Sequence, residues 1–496
     1  MNFYYLYKLK IYPLGIDYSS RELLFQPIDE QDFGKALYES LKKFGNSLRN
    51  LSDAISKGTT FRGEIMRKTV DLTNPHQAGW TFLINEKDPH RNDIIEAICP
   101  LAEHRGMENP DSPLLFDGGS QDDWVDWIQN EYQALDLEPG KKAPHYILIV
   151  GDPIQVPFHF QSMLDTMASV GRVDFDTIDD LKTYVEKIIR LEKAASPVVT
   201  SEATFFATNH GQTARGLDPT YFSYNYMAKP LADHVNQNLG FQVTKIMENQ
   251  ATKQNLLSSL RNSKSALVYT ASHGMGASGE NSREQKRVTG GICCQNVAQP
   301  DDEGLLTGDD IPQDTPFLEG AVFFQFACFG YGTPEESDLS HWQIQYGAWK
   351  MPEKIAETDF VASLPKRMLA NPRGPIAFIG HVDTALLHGF DDPKSPYPVE
   401  QWNVRIQPFL KSIEALLNVM PVGLAMSDMN ARYDIENARL TLMYDRLQRG
   451  KVKDIVDFQQ KLSDSFLSRT DAQNYMIFGD PAVHLRISTN DDLVKK

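Results

Sequence analysis

SALVYTASHG at residues 265–274 and GAVFFQFAC at 320–328 decide how this 496-residue chain is read. Each is a short apolar run, of strand rather than helix length, and each ends in a reactive side chain: His273 in the first, Cys328 in the second. Three comparable runs surround them: ATFFATNHG at 203–211, GFQVTKIM at 240–247 and GPIAFIGHVD at 374–383, with helical or loop segments between. Five strands joined by crossovers predict a doubly wound α/β sheet. In open sheets of this kind, functional groups collect at the carboxyl ends of the strands, where neighbouring loops converge. Adjacent parallel strands would bring His273 and Cys328 to one rim.

That pairing has a chemical meaning. A protonated thiol is a poor nucleophile, so a cysteine hydrolase needs an imidazole that promotes thiolate formation and later protonates the leaving amine. Gly274, directly after the histidine, lets the backbone approach a substrate closely. Its N–H, with that of Cys328, is placed to stabilise an oxyanion. His210, in ATNHGQTARG, also follows a strand and precedes a glycine, and it competes for the role of base. Its separation from Cys328, 328 − 210 = 118, demands another strand arrangement, and lining the cleft is its alternative role. The vicinal Cys293 and Cys294 lie between the two reactive strands and are read as packing residues.

Outward from this core, WTFLIN at 80–85 reads as a strand and NDIIEAICPLAEHRGM at 92–107 as an amphipathic helix. HYILIVGDP at 145–153 reads as a buried strand, and a helix spans about 181–195 with Lys and Glu on its open face before Pro197. The expected organisation is an accessory N-terminal segment at 1–75, containing a helix from Phe33 to Ile55, a smaller noncatalytic α/β unit at 76–196, and a catalytic unit at 197–490. The last of these turns helical between 404 and 466, interrupted at Pro421 to Gly423, and closes on the strand-like NYMIFGDPAVHLRI at 474–487. The two G-D-P motifs place Asp152 and Asp480 in turns.

On YTASHG, VFFQFACFGYG, ILIVGDPIQVPF, GPIAFIG and YMIFGDPAVHLRI, the chain resembles the clan CD cysteine peptidases: caspases, gingipains, separase and the bacterial CHAT proteases. The order of elements is most similar to the gingipain-like branch. The resemblance implies a caspase-like α/β/α sandwich with a mostly parallel sheet, a His273–Cys328 dyad, and Gly274 as the oxyanion glycine. The interval 328 − 273 = 55 matches the roughly 50 residues between histidine and cysteine in caspases. Caspases carry a glutamine two residues before the cysteine, where this chain has Phe326; Gln325 is one residue earlier, so caspase-type aspartate specificity is not expected. Gln325 is a candidate substrate contact or a plain core amide. Asp383, after the strand at 374–380, is a candidate for a pocket that selects Arg or Lys by charge pairing, with a helix-cap or surface role as the alternative. Glu335, Glu336 and Asp338 form an acidic loop beside the cysteine.

Composition narrows the functional class. With 49 basic and 66 acidic residues the formal charge is −17, which disfavours nucleic acid and anionic membrane as partners and fits a basic peptide or a merely soluble protein. Four cysteines without C-x-x-C spacing predict neither a zinc site nor a disulfide framework. Lys8, Lys10 and Pro13 interrupt the opening MNFYYLYKLKIYPLGIDYSS, so a cytoplasmic location is expected. The expected activity is cysteine endopeptidase, acting on a particular protein or peptide through a thioester, without metal or cofactor. An activating protein partner and a role in bacterial stress or defence are expectations carried by the resemblance alone. A catalytically silent binding protein and an amidohydrolase on the same dyad are the alternatives.

Overall fold

The computed structural model describes residues 10–24, 27–44, 70–137, 142–213, 216–298, 302–339, 354–390 and 405–488. Its centre is an eleven-stranded sheet built from β1 (Trp80–Asn85), β2 (Leu114–Phe116), β3 (Tyr146–Val150), β4 (Ser169–Val173), β5 (Val199–Ala207), β6 (Gln242–Met247), β7 (Ser265–Ala271), β8 (Val322–Phe326), β9 (Ala377–His381), β10 (Tyr475–Phe478) and β11 (Ile487–Ser488). The strand order is β6-β5-β7-β8-β9-β10-β4-β3-β1-β2, with β11 beside β5. Strands β3, β7, β8, β9 and β10 are buried at every position, as apolar runs covered on both faces should be.

Every neighbouring pair along this order is parallel except β9 and β10, which are antiparallel. The sheet therefore consists of two parallel halves running in opposite directions, joined at one seam. The boundary expected near residue 197 falls between α3 (Ile178–Lys193) and β5, but it is not a break in the sheet. Strand β10, from the end of the chain, pairs with β9 of one half and with β4 of the other, so one hydrogen-bonded layer runs through both units.

The helices follow their apolar periodicity. α2 (Arg91–His104) buries Ile94, Ile98 and Leu101 at helical spacing, and α3 buries Leu181, Tyr184, Val185, Ile188 and Leu191. α3 also turns Lys187 inward, where its Nζ donates to the carbonyls of Leu369 and Asn371. The helical region after residue 404 comprises α4 (Gln407–Leu417), a short turn of helix at Val422–Ala425, α5 (Ser427–Gln448) and α6 (Ile455–Gln473). In the N-terminal segment the described helix is α1 (Glu30–Phe44), and the remainder of the expected 33–55 helix lies outside the described residues.

That segment is less peripheral than its accessory reading implied. Gly15–Asp17 forms a parallel pair with Gly274–Gly276, the strand that leaves the histidine, in a second, four-stranded sheet with Ile292–Cys293 and Leu305–Leu306.

Candidate active site

β7 and β8 are adjacent and parallel, with Ala271 opposite Phe326. The pairing extends past the strands, because the Ser272 N–H donates to the Phe326 carbonyl at 3.2 Å. Continued by two residues, this register sets His273 level with Cys328, at the carboxyl ends of their strands. A Cβ placed on Gly274 would lie 1.7 Å from the Cys328 carbonyl oxygen, so only glycine lets these two backbones cross. Directly after the cysteine, Phe329 adopts φ 58, and so does Asp383 with φ 63. Both sit in the left-handed region that side chains avoid, held there by a 2.7 Å hydrogen bond from the Phe329 N–H to the Asp383 carbonyl. A strained turn at this point gives Cys328 its exit from the sheet.

His273 is fully buried, and its Nε2 lies 2.9 Å from Asp218 Oδ1. Its Nδ1 is buried without a hydrogen-bond partner. A carboxylate on Nε2 fixes the tautomer with the proton on that nitrogen and leaves Nδ1 as the base, the logic of hydrolase triads with the two ring nitrogens exchanged. Asp218 was not singled out from the sequence. In GLDP it has the signature of a helix N-cap before proline, and it is one: its carboxylate accepts from the Thr220 N–H at 2.9 Å and the Thr220 hydroxyl at 2.5 Å. Burial alone would raise its pKa, but His273 and these donors hold the carboxyl well below the usual range.

His210 stands beside His273, with ring centroids 5.7 Å apart. Its Nδ1 is 3.1 Å from the Thr220 hydroxyl and 3.8 Å from Asp218 Oδ1. Burial lowers its pKa to about 4, so it is neutral at physiological pH and leaves the Asp218 charge to His273. The structure thus brings His273, Cys328, Gly274 and His210 together and adds Asp218.

Gln325 and Asp383 are turned elsewhere. Gln325 is buried, and its Nε2 donates to the Gly290 carbonyl at 2.8 Å. The Asp383 carboxylate accepts from the Ser337 hydroxyl at 2.7 Å and the Asp338 N–H at 3.0 Å. Burial and the neighbouring Asp338 push its pKa up to about 7. Asp338 itself is paired with His159 at 2.9 Å, and Glu335 with Lys354, so part of the acidic loop is neutralised internally. Cys293 and Cys294 are buried, and the Cys293 N–H supports the His273 carbonyl at 3.2 Å, a packing role.

A nucleophile and an imidazole at the carboxyl ends of adjacent parallel strands, with a carboxylate behind the imidazole, define the equipment of a cysteine peptidase. The sequence model of peptidase family C25 matches residues 115–486, and the chain belongs to that family, a clan CD cysteine endopeptidase family. No curated protein matches this chain. Among solved structures it is similar to the Arg-specific cysteine proteinase gingipain R at 13% identity, with 82% of this chain and 78% of that one covered and a TM-score of 0.44. The complex of the Porphyromonas gingivalis RgpB pro- and mature domains shares 13% identity over 82% and 79% of the chains, TM-score 0.40. The Saccharomyces cerevisiae separase–securin complex shares 13% identity over 70% and 16%, TM-score 0.33.

Asp218→Asn keeps the helix cap, since asparagine caps as well as aspartate, but removes the charge behind His273. We expect kcat to fall about 100-fold with KM changed less than threefold and the thermal midpoint within a few degrees, read by steady-state kinetics and a melting curve.

Proposed function

We propose that this endopeptidase performs limited cleavage of a specific protein substrate, with Cys328 attacking the scissile carbonyl, His273 Nδ1 carrying the proton to the leaving amine, and the Gly274 and Cys328 N–H groups receiving the oxyanion. The observation that carries this reading is the crossing of Gly274 over the Cys328 carbonyl, which sets imidazole and thiol at one rim. Restriction to a particular substrate is supported by the burial of the whole dyad, because a general digestive enzyme would keep its nucleophile open. The four free cysteines fit a reducing, cytoplasmic compartment. An activating partner fits a covered dyad, and a stress or defence role rests on resemblance alone.

For the residue before the cleaved bond, a basic side chain is one reading, with Asp383 turning from Ser337 to pair with it. An apolar side chain is the second, favoured by Leu14, which is fully buried at the same rim. A peptide library with every P1 residue, incubated with purified protein, tests both readings. Cleavage and labelling of Cys328 by a thiol-reactive peptide warhead are expected, and both are lost in Cys328→Ala. Labelling that persists or moves to Cys294 overturns the assignment. Preference for Arg or Lys selects the first P1 reading, preference for Leu or Met the second.

A further inference from the structure

Strands β1 to β4 form the half of the sheet that carries neither His273 nor Cys328, in the order β4-β3-β1-β2, all parallel. The chain passes from β1 to β2 on one side and returns to β3 on the other, so the order reverses between β1 and β3. In open parallel sheets a ligand crevice opens outside the carboxyl ends of the strands at such a reversal. One is present here: the turns after β1, β3 and β4 enclose about 400 Å³. Because the two halves of the sheet run in opposite directions, this crevice lies at the edge of the layer opposite to the dyad.

Its lining has two chemistries. The floor is apolar, from Ile94 of α2, Val150 and Val173 at the strand ends, and Phe175. The rim is acidic, and every turn contributes: Asp88 after β1, Asp152 after β3, and Asp174 and Asp176 after β4. Asp88 and Asp152 are hydrogen-bonded within their own turns. Asp88 Oδ1 accepts the His90 N–H at 2.7 Å, and Asp152 Oδ1 accepts the Gln155 N–H at 2.8 Å. Asp174 and Asp176 share Lys366, at 2.8 and 3.5 Å. Arg172 of β4 is buried and gives its guanidinium to Gln161 and to the carbonyls of Gly151 and Val156. In the turn that carries Asp152, Ile154 is 61% exposed, one of the few large apolar side chains left in solvent among the described residues.

We infer that this crevice docks a basic segment of a protein partner, with Arg or Lys heads meeting Asp88 and Asp152 and an apolar neighbour packing on the floor and against Ile154. Three features select that occupant. Four carboxylates around one opening repel the phosphate groups that strand-end crevices commonly hold, and by charge complementarity they favour a cation. The apolar floor suits the long aliphatic stems of Arg and Lys. The exposed Ile154 suits a ligand with apolar surface of its own rather than a bare metal ion. The N-termini of α2 and α3 begin at the same turns, and their dipoles offset part of the repulsion among the gathered carboxylates. A segment bound at this edge does not compete with the peptide bond at Cys328, so one partner can engage both.

The test uses full-length Cys328→Ala, which leaves the probe uncut, and a fluorescein-labelled peptide, Gly-Arg-Leu-Arg-Leu-Gly, read by fluorescence anisotropy. Adding Asp88→Asn and Asp152→Asn removes both charges and keeps both turns, because asparagine accepts the same backbone N–H. We expect this pair to weaken binding at least tenfold. A control with the same charge change on exposed positions of α1 and α5, Glu39→Gln with Asp445→Asn, should change it less than twofold. A peptide with Glu in place of Arg should not bind, and one with Ser in place of Leu should bind at least fivefold more weakly. Equal weakening by the two double variants means that net charge alone attracts the peptide, and it overturns the inference. So does unchanged binding in Asp88→Asn/Asp152→Asn, which places the peptide elsewhere, the catalytic cleft included, and assigns the carboxylates to folding if the thermal midpoint falls. Equal binding of the Leu and Ser peptides, or no binding to the parent, overturns it as well. None of these results touches the peptidase reading, which labelling of Cys328 tests separately.

Discussion

His273→Ala lowers kcat/KM for a cleaved peptide by about 1,000-fold, within the range that a positioned general acid–base group contributes. The reason is specific to this site. Burial raises the Cys328 thiol well above its ordinary pKa, and the nearby Asp383 raises it further, so the thiol does not ionise unaided at neutral pH. The neighbouring imidazole is less well placed than His273, because His210 follows β5, which β7 separates from the cysteine strand β8. His210→Ala should therefore cost far less than His273→Ala. Kinetics of both variants on one peptide, with circular dichroism confirming the fold, check the order of effects. Comparable losses would mean that the two imidazoles share the work.

The largest stability effect is expected far from the site. Asp480 is fully buried in the second G-D-P motif and joins three elements. Its Oδ2 pairs with Arg105 Nε at 2.7 Å, its Oδ1 accepts the Trp80 indole N–H at 2.9 Å, and its own N–H donates to the Tyr184 hydroxyl at 2.7 Å. Arg105 also holds Glu192 through both terminal nitrogens at 2.7 Å. Asp480→Ala leaves the Arg105 guanidinium buried with half of its charge compensation gone, and the unfolding free energy should drop by about 3–5 kcal/mol. Removing the exposed Arg449–Asp445 pair at the C-terminal end of α5 should change it by less than about 0.5 kcal/mol. Urea unfolding of the two variants and the parent checks both figures, and an Asp480→Ala loss below about 1 kcal/mol would show that the pair is solvated.

These two residues also show what the sequence discloses and what it conceals. His273 and Cys328 were legible because each closely follows a short, largely apolar strand that is buried along its length, and parallel strands align their ends. Asp480 was read as a turn residue, and it does occupy a turn. Its ion pair joins it to Arg105 at the end of α2, a contact between segments that no local pattern links. Asp218 escaped for a related reason: an aspartate before proline at a helix start is already explained by capping, and its second bond, to His273, appears only once β7 is placed. Asp383 looked like a pocket carboxylate because it follows a strand end, but the left-handed turn at that residue accompanies a carboxylate turned onto Ser337. The pairing of residues 15–17 with the strand that leaves His273 was hidden altogether, because pairing between an N-terminal segment and a distant strand leaves no periodicity to detect.

The antiparallel seam has a consequence for the order in which the protein can be completed. β10 is the bridge between the two half-sheets, and at 475–478 it is made after every other strand of the sheet but β11. Until then β9 and β4 each present an unpaired strand edge while all the strands that precede β10 are already made. Such edges recruit other strands, so the nascent chain passes through a long interval in which it is prone to pair with its neighbours. A chain that stops short of residue 475 never leaves that interval. It carries both reactive residues and lacks the strand that joins the two halves of the sheet.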